Sequence, residues 1–185
     1  MSLLQRLARH AAACSDSLAI QGSDLSLDYA ALYDSVRLTM SWLRGLEVES
    51  LALDIDNGPA WAVIDIAAME AGIALVPLPP FFSPDQVHHV LSESGVSMVI
   101  TESPERFMQK APRLQLQETA SLGLFGRMLH CLRTGFPDSR IPKDIQKVTF
   151  TSGTTAEPKG VLLSWRQIEP VIESIYLKMS SKHLA

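Results

Sequence analysis

Three short apolar runs, at residues 51–55, 73–76 and 96–100, alternate with two segments that carry helix punctuation, and this alternation constrains the fold more than any other feature. After the first run Asn57-Gly58 breaks the extended chain, and Pro59 stands where a helix's first residue needs no amide proton. Gly72 closes that helix. After the second run Ser83-Pro84-Asp85-Gln86 combines an N-cap, a first-turn proline and a capping-box glutamine, with Val87, Val90 and Leu91 on one inward stripe and Gly95 as the stop. The run at 73–76 does not alternate, as suits a strand buried on both faces. Strand, helix, strand, helix, strand in this order requires parallel pairing through right-handed crossovers. The expected fold is α/β, a layered fold with a mainly parallel sheet flanked by helices.

The flanks are less decisive. Residues 18–21 and 25–27 surround Gly22-Ser23-Asp24, which predicts a hairpin. Asp28 then caps a helix whose Tyr29, Leu32, Val36, Met40 and Leu43 form one buried stripe. The first fifteen residues hold Arg6 and Arg9 and no acid, which superficially suits a transit peptide. They read better as an amphipathic helix with Leu3, Leu4 and Leu7 against the body. Between 103 and 141 the pattern weakens, and Leu124, Phe125, Met128, Leu129 and Leu132 predict one side of a further helix. Beyond residue 160, Ile168, Val171, Ile172, Ile175, Tyr176 and Met179 recur at helical spacing and, with residues 161–165, predict an apolar surface.

Composition removes several functional classes. A net charge of −4 gives no broad basic surface for a polyanion, so no nucleic-acid partner is expected. The most apolar stretch, 61–78, contains Asp65 and Glu70 and ends at prolines, so no membrane span is expected. Cys14 and Cys131 form no CxxC unit, which makes a reducing cytoplasm the default location. His88 and His89 are adjacent on a helix and diverge, so they do not make a metal pair, and His10, His130 and His183 are isolated. Asp54 and Asp56 read as loop caps and Phe81-Phe82 as a buried anchor.

The segment with chemical content follows the strand-like residues 147–150: Thr151-Ser152-Gly153-Thr154-Thr155-Ala156-Glu157-Pro158-Lys159-Gly160. Consecutive hydroxyls, two glycines and a lysine suit a polyphosphate cradle, in which backbone N–H groups approach at glycine and the ammonium supplies charge. No glycine precedes Lys159 and no hydroxyl follows it, so this is not the GxxxxGK[ST] loop. An ordinary polar hairpin between Phe150 and Val161 has the same composition.

These ten residues resemble the TSGTTGxPKG signature of the adenylate-forming superfamily, AMP-forming acid ligases that include acyl-CoA synthetases and peptide-synthetase adenylation domains. Leu27-Asp28-Tyr29-Ala30-Ala31-Leu32 resembles the family's LTYxEL segment, and residues 69–78 resemble its KAGxxxVPL segment, both in the right order. The resemblance implies the fold of the N-terminal subdomain of these enzymes. It also implies ATP-dependent activation of a carboxylic acid, fatty or otherwise, to an acyl-adenylate, with Mg2+, and transfer to a thiol such as CoA. In that scheme Thr151, Ser152, Gly153, Thr154, Thr155, Lys159 and Gly160 hold the departing pyrophosphate. Two departures stand out: Ala156 replaces the loop's third glycine, and Trp165 replaces a common histidine. The family's adenine segment, ribose-binding aspartate and C-terminal lysine have no counterpart after Gly160. The chain is accordingly expected to be a partial adenylation domain over 1–185, without the rest of the N-terminal domain or the lid, and no catalytic residue or metal ligand is assigned. Its expected partners are ATP, a carboxylic acid and a polypeptide supplying the missing part, as in a split ligase; the alternative is a noncatalytic nucleotide- or partner-binding module.

Overall fold

The computed structural model describes residues 1–151 and 158–182. Its elements run α1 (Leu3–Ala13), β1 (Leu18–Gln21), β2 (Ser26–Asp28), α2 (Tyr29–Gly45), β3 (Ser50–Asp54), α3 (Pro59–Ala71), β4 (Ala74–Pro77), α4 (Pro84–Ser94), β5 (Met98–Thr101), α5 (Pro104–Lys110), β6 (Gln117–Leu124), β7 (Arg127–Arg133), β8 (Ile145–Thr151), β9 (Lys159–Ser164) and α6 (Trp165–Lys182). The strands β1 and β2 form a small antiparallel hairpin. The others make one sheet in the order β6-β7-β5-β3-β4-β8-β9. Its central four strands, β5, β3, β4 and β8, are parallel to one another, and antiparallel pairs close both sides.

The helix signals in the sequence act as anticipated. Pro59 opens α3 and Gly72 ends it at a φ of 75°. The Asp28 carboxylate accepts from the Ala31 amide at 2.7 Å to start α2. At α4 the Ser83 and Gln86 side chains satisfy each other's backbone amides at 3.3 and 3.0 Å, an arrangement whose N-cap half is worth ~1 kcal/mol. Gly95 ends α4 at a φ of 62°, and a Cβ there would also collide with the Asp138 carbonyl, so glycine is required twice over.

Helices cover both faces of the sheet. On one face α2 and α3 pack Leu32, Val36, Leu43, Val63 and Ile64 against Leu51, Leu53, Leu75 and Ile100. Leu4 and Leu7 of α1 join the edge of this cluster. On the other face α4 and α5 bring Val87, Val90, Leu91 and Phe107 against Ala52, Val76, Val99, Val148 and Phe150. Since successive strand residues point to opposite faces, Leu53 serves one core and Ala52 the other, which explains the unbroken apolar runs.

Three expectations are corrected. Leu124, Phe125, Met128, Leu129 and Leu132 do not form a helix; they belong to the β6–β7 hairpin, whose ladder closes at Leu124–Arg127 around Phe125-Gly126. Both turn residues have positive φ, 52° and 75°, the geometry that matches strand twist in a two-residue turn. Leu129 and Cys131 alternate inward along β7, a period of two that overlaps a helical stripe over so short a window. Of the Phe81-Phe82 pair only Phe82 is buried, while Phe81 is 72% exposed. Asp54 does not cap a loop: its carboxylate takes Lys110 Nζ at 2.9 Å and the Thr101 hydroxyl at 3.1 Å.

Candidate functional site

The segment singled out by its hydroxyls, glycines and lysine joins β8 to β9. β8 extends the parallel sheet beside β4, so the connection leaves at the carboxyl end of the parallel strands, where α/β folds commonly place ligands. β9 returns antiparallel to it, with Phe150 opposite Gly160 and Thr151 opposite Lys159. Thr151 and Lys159 thus face each other across the ladder at its loop end, both exposed, and the Thr151 hydroxyl reaches the Lys159 carbonyl at 3.5 Å. Ser152, Gly153, Thr154, Thr155, Ala156 and Glu157 lie outside the described residues, so the effect of Ala156 on the loop does too.

Gly160 has a packing reason to be glycine. A Cβ at that position would sit 3.1 Å from Phe150 Cζ and 3.1 Å from Val148 Cγ1, so the missing side chain seats the Phe150 ring across the ladder. Its residue type therefore reflects the stem of the loop, whatever the loop binds.

Both faces of β8 are anchored. Toward α4 and α5, Val148 and Phe150 enter the apolar core. On the opposite face Lys147 Nζ stands 2.7 and 2.8 Å from the two Asp65 oxygens of α3, and 5.0 Å from the centroid of the Trp61 ring. Both partners of this ion pair are largely enclosed. Burial pushes the Asp65 carboxyl above its usual range, and the Lys147 ammonium opposes that shift.

A third contact holds the far side of the loop. The carbonyl of Pro158, one residue outside the ladder, lies 3.1 Å from His89 Nε2 on α4. The two residues are 69 positions apart, so no local sequence pattern announces the contact. Together with Glu93, Arg140, Phe150, Pro158 and Lys159, His89 lines an open cavity of about 500 Å³ between α4 and the hairpin. His88, its neighbour, takes no part in that lining.

The remaining titratable residues have other roles. Arg127 bridges Glu102, at 3.0 Å, and Asp24, and its guanidinium holds the Asp24 carboxyl below the usual range, first through the hydrogen bond they share. His130 Nδ1 meets Glu118 at 2.7 Å across the β6–β7 ladder. Desolvation pushes the Cys131 thiol up to about 12, which makes it an inert core residue. Among the described residues no group of three or more His, Cys, Asp or Glu side chains is arranged to hold a metal ion, and no helix is long and apolar enough to cross a membrane.

Comparison with known proteins places this architecture. The chain is 30% identical over 156 residues to the nonribosomal peptide synthetase cm3A of Cordyceps militaris, a match that covers 82% of the chain and 3% of that protein. It is 22% identical over 179 residues to bacitracin synthase 3 of Bacillus licheniformis, covering 94% of the chain and 3% of the synthase. Among solved structures, VinN in complex with 3-methylaspartate superposes with a TM-score of 0.70 at 21% identity, over 95% of this chain and 50% of VinN. The inhibitor-bound N-terminal domain of FACL13 from Mycobacterium tuberculosis gives 0.64 at 21% identity, over 88% of this chain and 44% of that domain. The chain thus spans half or less of each of these proteins. The family model of AMP-binding enzymes matches residues 7–182, and with nearly the whole length so accounted for, the chain belongs to the AMP-binding enzyme family.

Proposed function

We propose that this chain contributes the pyrophosphate-binding part of a site that activates a carboxylic acid with ATP. The observation that carries the reading is the position of the 151–160 segment. It links a parallel strand to an antiparallel return at the carboxyl end of the sheet, with Thr151 and Lys159 exposed at the mouth of the connection. Membership of the AMP-binding enzyme family supports it.

In the reaction an acid oxygen forms a bond to the α-phosphorus of ATP, and the bond from that phosphorus to the bridging oxygen breaks. The products are acyl-AMP and pyrophosphate, whose charge grows as it leaves. Backbone amides and hydroxyls of Thr151, Ser152, Gly153, Thr154 and Thr155, with the Lys159 ammonium, are assigned to neutralise that charge. Gly160 contributes through the packing of Phe150. Magnesium would arrive with the nucleotide and share the neutralisation, since the described side chains offer it no carboxylate cluster. A thiol is the proposed acceptor of the acyl group, CoA among the candidates. The named relatives broaden the acid class, since they include peptide synthetases and a protein solved with 3-methylaspartate.

The test is titration of the chain with magnesium pyrophosphate. Binding that Lys159→Ala weakens about 10-fold, the equivalent of ~1.4 kcal/mol of charge neutralisation, is expected. Binding unaffected by that substitution, or no binding at all, would show the hairpin to be structural. In a polypeptide carrying this sequence, acid-dependent ATP–pyrophosphate exchange across amino, aryl and fatty acids then identifies the acid.

A further inference from the structure

Lys159 begins an edge strand and follows a connection of seven residues, 152–158, so the direction of its side chain needs a support from elsewhere in the fold. We infer that His89 is the positioning residue for Lys159, acting through the hydrogen bond its Nε2–H donates to the carbonyl of Pro158. The inference rests on the phosphate reading of the loop and adds a residue to it.

Three observations converge on His89. The first is rigidity of the support. α4 starts with the reciprocal Ser83–Gln86 cap and ends at Gly95 under the Asp138 carbonyl, and its Val87, Val90 and Leu91 are fully enclosed. A side chain carried on such a helix has a defined origin, and His89 spends only two side-chain torsions to reach the loop.

The second is the place of the acceptor. Pro158 is buried, its φ is restricted by its own ring, and its carbonyl belongs to the peptide whose nitrogen is that of Lys159. Fixing that carbonyl fixes the plane of the peptide and hence the direction in which the lysine leaves the backbone. From the other direction Thr151 Oγ1 approaches the Lys159 carbonyl at 3.5 Å, so contacts from two different elements bracket this one residue.

The third is the chemistry of the donor. A carbonyl oxygen only accepts, so the bond requires the proton on Nε2. A phenyl ring at this position would fill similar space and donate nothing, whereas a glutamine reaches a comparable distance with an N–H. Packing and hydrogen bonding at position 89 are therefore separable by substitution.

The experiment compares the intact chain with His89→Phe, His89→Gln and Lys159→Ala, measuring calorimetric affinity for magnesium pyrophosphate and thermal midpoint. The expected result is that His89→Phe weakens binding about 5-fold, the value of one net hydrogen bond, with the melting midpoint lowered by no more than the loss of that one bond, and that His89→Gln restores most of the affinity. Imidazole ¹⁵N spectra of the wild-type chain should show Nε2 protonated. Equal affinities in wild type and His89→Phe would overturn the inference, because packing would then suffice. So would failure of His89→Gln to restore affinity, or an unprotonated Nε2. If the wild-type chain does not bind pyrophosphate, the loop reading falls and the functional role of His89 with it, while the imidazole spectra still decide whether the anchor itself exists.

Discussion

In β3, β4 and β5 nearly every side chain is enclosed, whereas in β9 Lys159, Gly160, Val161 and Leu162 are all exposed. The parallel centre is clad by helices on both faces, so its sequence has one requirement, apolar residues of the right volume. In the β8–β9 hairpin β8 is covered in part on each face, while most of β9 is open. Its position is set instead by particular contacts: Phe150 seated over Gly160, Lys147 on Asp65, and Pro158 on His89. A uniformly buried centre supplies stiffness, and the half-covered edge supplies the groups that water and ligands reach.

That contrast fails first if the centre tolerates cavities. Leu53→Ala, at a side chain that is 1% exposed, is expected to cost ~2–5 kcal/mol by lost burial and an unfilled void. Chemical denaturation measures it. A cost below ~1 kcal/mol would mean that the two cores are loosely packed and that the distinction drawn between centre and hairpin is empty.

The next largest effect sharpens the account of the hairpin. Asp65→Leu leaves the Lys147 ammonium enclosed without its counter-charge and should cost roughly 3 kcal/mol, while adding Lys147→Met in the same chain should recover most of the loss. Asp65 also gives a pH signature. Its folded pKa is raised, so below the ordinary value of 3.8 both folded and unfolded forms hold the proton and the shift has no effect. As pH rises above 3.8 the unfolded chain releases that proton first and gains relative to the fold, so this group's contribution to stability falls until its folded pKa is passed. The difference in stability between wild type and Asp65→Asn, followed from about pH 3 upward, should change in that direction. A flat difference would show that Lys147 fully offsets the burial.

Legibility in the sequence follows the same division. The parallel centre is readable because each signal is local: Pro59, Gly72, the Ser83–Gln86 box and Gly95 act within a few residues of themselves. The β6–β7 hairpin misleads because its closely spaced apolar residues satisfy helical and strand periods alike. Gly126 and the positive φ at Phe125 decide the matter only once the turn is seen. The hairpin stem is legible as composition and as a family signature. Its anchors are not, since His89 and Asp65 meet Pro158 and Lys147 across 69 and 82 residues. A histidine or aspartate on a helix carries no mark of a partner that far along the chain.

The smallest expected change in stability makes the sharpest test of the edge. Leu162 is 42% exposed on β9, beside Val161 at 47%, and Val171 and Ile175 of the following α6 are 58% and 54% exposed. Leu162→Ser removes apolar surface that already meets water, so its effect on folding stability should stay within ~0.5 kcal/mol. Its effect on association should be larger. Apolar side chains grouped on an edge strand and an adjacent helix favour self-association and the uptake of hydrophobic dyes, because the sheet edge adds unpaired backbone groups to the apolar surface. Light scattering and dye fluorescence at low micromolar concentration should therefore fall in Leu162→Ser while the denaturation midpoint stays put. If scattering and dye binding are already negligible in the wild type, the exposed residues of β9 and α6 do not act as one patch. If the midpoint drops by more than ~1 kcal/mol equivalent, Leu162 supports the Val148 face across the ladder, and the stable part of the molecule extends one strand further than the burial pattern indicates.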